Sequence, residues 1–413
     1  MSDRFRCSAR SRQSVDDANR GAHLQQVNES AHGAVSRAVV LFWRQFGPYH
    51  YDRCKALAEA LGTRAAVVGI EIADRSREYD WRPTGADRGF VKETLFPGRG
   101  YEDVGAFARY RRLVARCVAL RARHVLLCHY ERAECFGVAV TLRLLGRRVY
   151  TMFDSKFDDK PRSAWRELLK KLFLLPYCGA LVSSSRSRAY LRFLGYSNHW
   201  IAEGYDTVSI ARVRALAGAE PAPGGASFAS RHFTVVARFV PKKNLGLAIK
   251  AYALYRAKSS SNRRDLVICG SGPLGAELEE KARGIDGIRF MGFLQEDGIA
   301  QTLAKSLALI LPSVEEQWGL VVNEALAMGV PVLAADNVGA RDLLVRTAVD
   351  GYVFEPDNAE GLARLMCRLA TEEDEWRRLA AGALAAAPAG DVARFVEGVS
   401  VLTGIGAAPI ERK

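Results

Sequence analysis

The sequence predicts an α/β protein of two doubly wound, Rossmann-like domains facing each other across a cleft. Three observations carry that expectation. At 413 residues the chain exceeds what one core usually fills. Short apolar runs alternate with stretches of helical period along most of its length, the pattern of a parallel sheet wrapped by helices. That pattern breaks at "ALAGAEPAPGGASFAS", residues 215–230, whose Ala, Pro, Gly and Ser build no core and read as a linker, and then it starts again.

Taken in order, residues 1–37 are polar, lack the apolar core of a secretory signal, and read as a disordered arm. The first domain, 38–214, opens with the strand "AVVLFW", the loop "RQFGPYH", the helix "YDRCKALAEAL" and the strand "AAVVGIEI". "HVLLCH", the helical "ERAECFGVAVTLRLLG", "RRVYTMF", the basic helix "SAWRELLKKLFLL" and "GALVSSS" continue the alternation. The second domain, 231–390, repeats it with strands in "HFTVVARF", "DLVICG", "IRFMGF", "LALILPS" and "PVLAA", separated by helices. Residues 391–413 are expected to form a terminal helix and tail.

Composition narrows the function. No run of about 18 uninterrupted apolar residues suggests a membrane span, and the mean hydropathy is near zero, −0.07. Eight scattered cysteines without a C-x-x-C pair suggest neither zinc nor a disulfide framework, which fits a reducing cytoplasm. Charge is lopsided: residues 1–215 hold 37 Lys/Arg against 22 Asp/Glu, whereas 216–413 hold 22 against 24. A basic half suits an anionic membrane surface or a phosphorylated substrate, or is simply a solvated cationic face. Nucleic acid is disfavoured, since no helix-turn-helix, zinc or ribonucleoprotein motif accompanies the charge.

In such sheets ligands sit beyond the carboxyl ends of the strands, so residues just after strands are the candidates. Arg238 and Lys243 follow "HFTVVARF" just ahead of a helix, and two cations beside a helix amino terminus make an anion site suited to a diphosphate. The turn "CGSGPLG" supplies Gly272 for close backbone approach, although the G-x-G-x-x-G spacing is broken. Glu316 lies in the loop after "LALILPS", and Glu324 about 1.5 turns into a helix opening at Gly319. An acid within "LVVNEALAM" either is buried, and then needs donors such as the paired hydroxyls of a ribose, or points outward as a surface acid. Two carboxylates also suggest glycosidase chemistry, a reading the adjacent Arg/Lys pair disfavours because it implies a phosphorylated donor.

The ordered set Arg238, Lys243, "GSGP", then Glu316 and Glu324 as E-x7-E ahead of "EALAMGVPV", resembles the family 4 retaining glycosyltransferases of the GT-B fold, from residue 231 to about 370. The resemblance implies a sugar transferase that uses a nucleotide-sugar as co-substrate and needs no cofactor or metal. Arg238 and Lys243 would hold the donor diphosphate, Glu324 its ribose, and Glu316 with the backbone at Gly319 and Leu320 the transferred sugar. Phe293, in "FMGF", would line the nucleobase pocket. In the first domain, Gly47 in "FGPYH" would approach the phosphates, with Tyr49 and His50 beside the acceptor. Where the family often has a histidine facing the donor sugar this chain has "TMFDSKFDDK", so Asp154, Ser155 and Lys156 are candidates, or His129 at the end of "HVLLCH". A glycan or polyprenyl-diphosphate acceptor at the inner membrane face is the expected partner, with "PRSAWRELLKKLFLLPYCG" as an interfacial helix or as a helix covering its own sheet. Two alternatives are a non-catalytic protein of the same fold that binds sugar nucleotide or membrane, and a sugar-nucleotide epimerase.

Overall fold

The computed structural model describes residues 38–76, 81, 89–159, 161–259 and 263–406. The expected arm at 1–37 lies outside them, as do residues 407–413 of the tail.

The first domain begins with β1 (Val39–Trp43), wholly buried, and α1 (Pro48–Leu61). β2 (Val67–Arg75) and β3 (Val91–Gly100) follow, then α2 (Ala106–Ala119), β4 (His124–Leu127) and α3 (Ala133–Leu144). β5 (Arg148–Phe153), α4 (Ala164–Leu174), β6 (Gly179–Val182), α5 (Ser185–Phe193) and β7 (Ile201–Glu203) complete it. The seven strands form one sheet ordered β3-β2-β1-β4-β5-β6-β7. Val39 of β1 pairs in parallel with Val67 on one side and His124 on the other. The strand order therefore reverses at β1, which opens a crevice beyond the carboxyl ends of β1 and β4.

α6 (Ile210–Ala217) carries the chain across. The second domain then runs β8 (His232–Val236), α7 (Leu245–Lys258), β9 (Leu266–Cys269), α8 (Gly275–Ala282) and β10 (Ile288–Gly292). It continues with α9 (Glu296–Ala304), β11 (Ser306–Leu311), α10 (Val321–Ala327), β12 (Val332–Ala335), α11 (Arg341–Leu344) and β13 (Gly351–Phe354). α12 (Ala359–Thr371), α13 (Glu373–Ala386) and α14 (Val392–Thr403) end it. Its six-stranded parallel sheet is ordered β10-β9-β8-β11-β12-β13, with the reversal between β8 and β11. Leu307 to Leu311 and Val332 to Ala335 are buried throughout, as strands covered by helices on both faces must be.

Local chemistry moves two expected boundaries. The segment "RQFGPYH", expected to be all loop, already enters α1 at Pro48, because proline is pre-organised for the first helical position. Gly47 is the N-cap, and its N–H donates to Nδ1 of His50 at 2.8 Å. Tyr49 and His50 are therefore first-turn helical residues. The helix expected to open at Gly319 instead begins at Val321, since Gly319 sits at φ +99° and Leu320 caps it. Glu324 thus lies in the first turn of α10, not 1.5 turns in.

The terminal helix returns to the first domain. Phe395 and Val399 of α14 lie in the core cluster of Val39, Leu41 and Met152, and the Tyr150 hydroxyl donates to the carbonyl of Leu402 at 2.9 Å. Contact is close enough that a Cβ on Gly398 would meet the Glu203 carbonyl oxygen at 2.2 Å. α6 meanwhile packs against α9 and α10 of the second domain.

Candidate active site

β8 ends at Val236 and leaves Arg238 and the short turn Pro241–Lys243 beyond the sheet edge. The glycine turn after β9 shapes this loop. The Phe239 N–H donates to the Ser271 carbonyl at 2.8 Å and the Leu274 N–H to the Phe239 carbonyl at 3.1 Å. Gly272, at φ +153°, presses so close that a Cβ would lie 2.7 Å from the Phe239 oxygen. Its role here is to seat the loop that carries Arg238. Asn244 fastens the other end: in the left-handed conformation at φ +53°, its side-chain amide donates to the carbonyls of Pro312 at 3.2 Å and Pro356 at 2.8 Å.

β11 delivers the second loop. Glu316 is 8% exposed, and its carboxylate pairs with the Lys243 ammonium and accepts from the Ser313 hydroxyl at 3.2 Å. Two of the residues picked out from sequence spacing thus meet directly at the reversal point of the second sheet. The Trp318 indole donates to Asn323 Oδ1 at 2.9 Å, and the Asn323 amide nitrogen donates to the carbonyls of Asp206 and Gly390. Those contacts fix the start of α10 against the first domain.

Glu324 is buried, 6% exposed, which rules out the surface-acid alternative. Its Oε1 accepts the Tyr49 hydroxyl at 3.1 Å across the cleft. Burial pushes this carboxyl up to about 7, while the Tyr49 hydrogen bond and the Arg212 guanidinium pull the other way. Arg212 of α6 itself pairs with Asp52 of α1 at 2.9 Å and with Glu296 of α9. Phe293 is 44% exposed just past β10.

On the first domain, His50 stacks at 4.6 Å on Trp43, and burial, Arg53 and His129 hold its pKa well below the ordinary value. It is a neutral imidazole whose Nδ1 is occupied by Gly47, leaving Nε2 as the protonated nitrogen. His129 lies two residues past β4 at φ +62°. Burial alone would lower its pKa, but contacts with Cys128 and Glu131 raise it to about 10, and its Nδ1 lies 3.7 Å from the Glu131 carboxylate. Asp154 follows β5; burial and the neighbouring Asp206 raise its pKa, with His129 opposing. Ser155, half-buried, comes next. Lys156 is a correction: it is fully buried and ion-paired with Asp159 at 3.1 Å and Asp158 at 3.3 Å, so it is committed to its own loop.

Sequence reasoning missed Asp206 and Arg53. Arg53 donates to Asp206 at 3.3 Å and to the Thr207 carbonyl at 3.2 Å. Asp206 has a pKa raised by burial, and Glu316 adds to that effect. The signal was weak, because β7 has only three residues. A second missed contact is Arg186 of α5, which clasps the Asp342 carboxylate at 2.7 and 2.8 Å and the Asp336 carbonyl at 3.0 Å on the opposite domain. Among the described residues, no group of three His, Cys, Asp or Glu is placed to hold a metal ion.

Two parallel-sheet α/β domains with an Arg/Lys loop and paired acids at the reversal point have the GT-B architecture. Residues 228–384 match the family described as glycosyl transferases group 1. It is 34% identical over 97 residues to the sulfoquinovosyl transferase SQD2 of Arabidopsis thaliana, a match covering 23% of this chain and 19% of that protein. It is 31% identical over 158 residues to the D-inositol 3-phosphate glycosyltransferase of Streptomyces griseus, covering 36% of this chain and 33% of the relative. These matches span a third or less of each relative's length. Over nearly the whole chain, the HepE protein of Anabaena in complex with UDP superposes with a TM-score of 0.65 at 17% identity, covering 89% of this chain and 99% of that one.

Proposed function

We propose that the protein transfers a sugar, with retention of configuration and without a metal, from a nucleoside-diphosphate sugar in the second domain to an acceptor on the first. The observation that carries this reading is the junction of Lys243 with Glu316 at one reversal point, with Glu324 buried in the first turn of α10, the helix that follows the Glu316 loop. A group 1 segment over 228–384 and a fold shared with a UDP-bound structure support it.

Departure of the diphosphate is the demanding part of such a transfer. Negative charge grows on the leaving group while the sugar becomes cationic. Arg238 and Lys243 on a braced loop stabilise the first, because fixed cations at a desolvated site cost no reorganisation during reaction. Glu316 stands where its carboxylate, released from Lys243 as the phosphates take that cation, accepts from hydroxyls of the transferred sugar. Glu324 takes the two hydroxyls of the ribose, and Phe293 faces the base. On the acceptor side His50 Nε2, His129 and Asp154 border the reacting centre.

The acceptor we propose is a glycan or a lipid-linked diphosphate at the inner, cytoplasmic face of a membrane. α4 supports this. Its apolar stripe faces outward, with Trp165 66%, Leu168 50%, Leu172 48% and Leu175 74% exposed, while Glu167 is turned in at 8% and bonds Tyr190 and Lys170. A helix that merely covered its sheet would face the other way. No helix among the described residues is long and apolar enough to cross a membrane.

The test is donor screening by thermal shift followed by turnover of the stabilising donor with and without chelator. One nucleotide sugar is expected to stand out and to be hydrolysed slowly without acceptor, chelator making no difference. Binding without any turnover would favour a non-catalytic role, and dependence on added metal would remove the metal-free part of the account.

A further inference from the structure

We infer that Arg186 is a positioning residue for the transfer: by clasping the turn that backs the Glu316 loop, it holds that acid in place against the first domain while the cleft is shut. This rests on the transferase reading above and assigns a part in it to a side chain outside the donor loop.

The contacts form an unbroken series from one domain to the acid of the other. Arg186 lies in the first turn of α5. Its Nε and Nη2 donate to the two carboxylate oxygens of Asp342 at 2.7 and 2.8 Å, and Nη2 donates also to the Asp336 carbonyl at 3.0 Å. A two-pronged pair of this kind fixes direction as well as distance. Both acceptors belong to the segment that leaves β12 and enters α11. The same segment holds the Glu316 loop. The Gly339 N–H donates to the Glu316 carbonyl at 3.1 Å, the Ala340 N–H donates to the Trp318 carbonyl at 2.9 Å, and Glu316 pairs with Val338 in an isolated parallel bridge. That junction has no slack, since a Cβ on Gly339 would lie 1.8 Å from the Gln317 oxygen. A displacement of residues 336–342 is therefore passed on to Glu316.

The other side of the loop is anchored in a different way. Trp318 donates to Asn323, which is 2% exposed and donates in turn to the Asp206 and Gly390 carbonyls. Those carbonyls lie where the chain crosses into α6 and returns in α14, and the two crossings pair with each other at Val208 and Asp391. Such paired crossings are where a hinge between the domains would sit, and there Asn323 is buried and fully engaged. The clasp is the part that can part. The Arg186 and Asp342 side chains are 23% and 13% exposed. Arg186 also pairs with Asp158 of its own domain at 2.8 Å, and Arg341 lies 3.6 Å from Asp342, so each half keeps an opposite charge nearby when the two separate. Opening strands no buried charge, which makes the contact reversible.

The experiment compares hydrolysis of the stabilising nucleotide sugar, without acceptor, by the full-length wild type, Arg186→Gln, Asp342→Asn and the double variant. Arg238, Lys243, Glu316 and Glu324 all belong to the second domain, so KM for the donor should stay as in wild type. kcat is expected to fall about tenfold in each single variant, the scale of one charge-assisted pair, and no further in the double variant. Arg186→Lys keeps the charge without the fork and should recover part of the loss. A side chain that served stability alone would lower the unfolding temperature and leave kcat untouched. Wild-type kcat in the single variants, losses that multiply in the double variant, or a change confined to KM overturns the inference. Should Arg186→Gln fail to fold, Asp342→Asn and Arg186→Lys decide by the same criteria. If the wild type hydrolyses no nucleotide sugar, the transferase reading fails instead, and small-angle scattering of the nucleotide-free proteins then reads the clasp by itself. The variants are expected to be more extended than wild type, equally so in single and double, and an unchanged radius of gyration overturns the clasp.

Discussion

Replacing Glu324 by glutamine should make the protein more stable and a poorer binder of its donor, with both effects dependent on pH. The carboxyl is lifted from an ordinary 4.5 to about 7 by burial. A group raised in the folded state contributes its full stability below its unfolded value and loses it as pH climbs through the folded one. Ionised Glu324 therefore costs on the order of 3 kcal/mol at about pH 8. An amide of the same shape keeps an oxygen for the Tyr49 hydroxyl, 3.1 Å away, and carries no charge to desolvate. Glu324→Gln should thus unfold several degrees higher at about pH 8 and close to wild type at about pH 5. Binding should move oppositely. Two ribose hydroxyls donating to a carboxylate rather than an amide are worth roughly 1.5–3 kcal/mol, a loss of about ten- to hundredfold at pH 8 that shrinks as wild-type Glu324 itself protonates. Thermal unfolding and calorimetric titration of the nucleoside diphosphate at both pH values read all four quantities. A variant destabilised at pH 8, or with unaltered nucleotide affinity there, would refute the reasoning.

Two further expectations concern the other parts of the account. Lys243→Ala removes a cation from the diphosphate loop and leaves buried Glu316 without its ion pair, so single-turnover rates should fall about 10²- to 10³-fold. Rates within a few-fold of wild type would exclude a part for Lys243 in the transfer. Binding to anionic vesicles should fall steeply with salt, and Leu168→Asp with Leu172→Asp should abolish it with the circular dichroism spectrum kept. Binding that ignores both would sever α4 from the membrane.

The second domain was legible in the sequence because its inner strands are covered on both faces and read as unbroken apolar runs. "LALILPS" and "PVLAA" need no partner to be recognised. β3 was not, since an edge strand tolerates the Lys92, Glu93 and Pro97 that disguise it. The donor loop was legible for a different reason: reversal points place residues just after strands, so Arg238, Lys243 and Glu316 could be picked out by position. What joins the domains was hidden. Tyr49 and Glu324 are 275 residues apart, Arg53 and Asp206 153. The first pair exists only once two separately folded sheets have closed on each other, the second only once α1 has packed beside the end of β7 within the first domain, and no local periodicity reports either. The "DSKFDD" segment misled for a similar reason, because Lys156 satisfies acids two and three residues away within its own loop. α4 was ambiguous because spacing shows that a helix has an apolar stripe but not which way the stripe faces.

The most direct measurement is a crystal structure of the protein soaked with the nucleotide sugar that stabilises it. The β-phosphate is expected against Arg238 and Lys243, the ribose hydroxyls on the Glu324 carboxylate, and Glu316 turned from Lys243 to the sugar. A nucleotide bound elsewhere, or seated in the cleft with Lys243 still closed on Glu316 and its phosphates in solvent, would contradict the account.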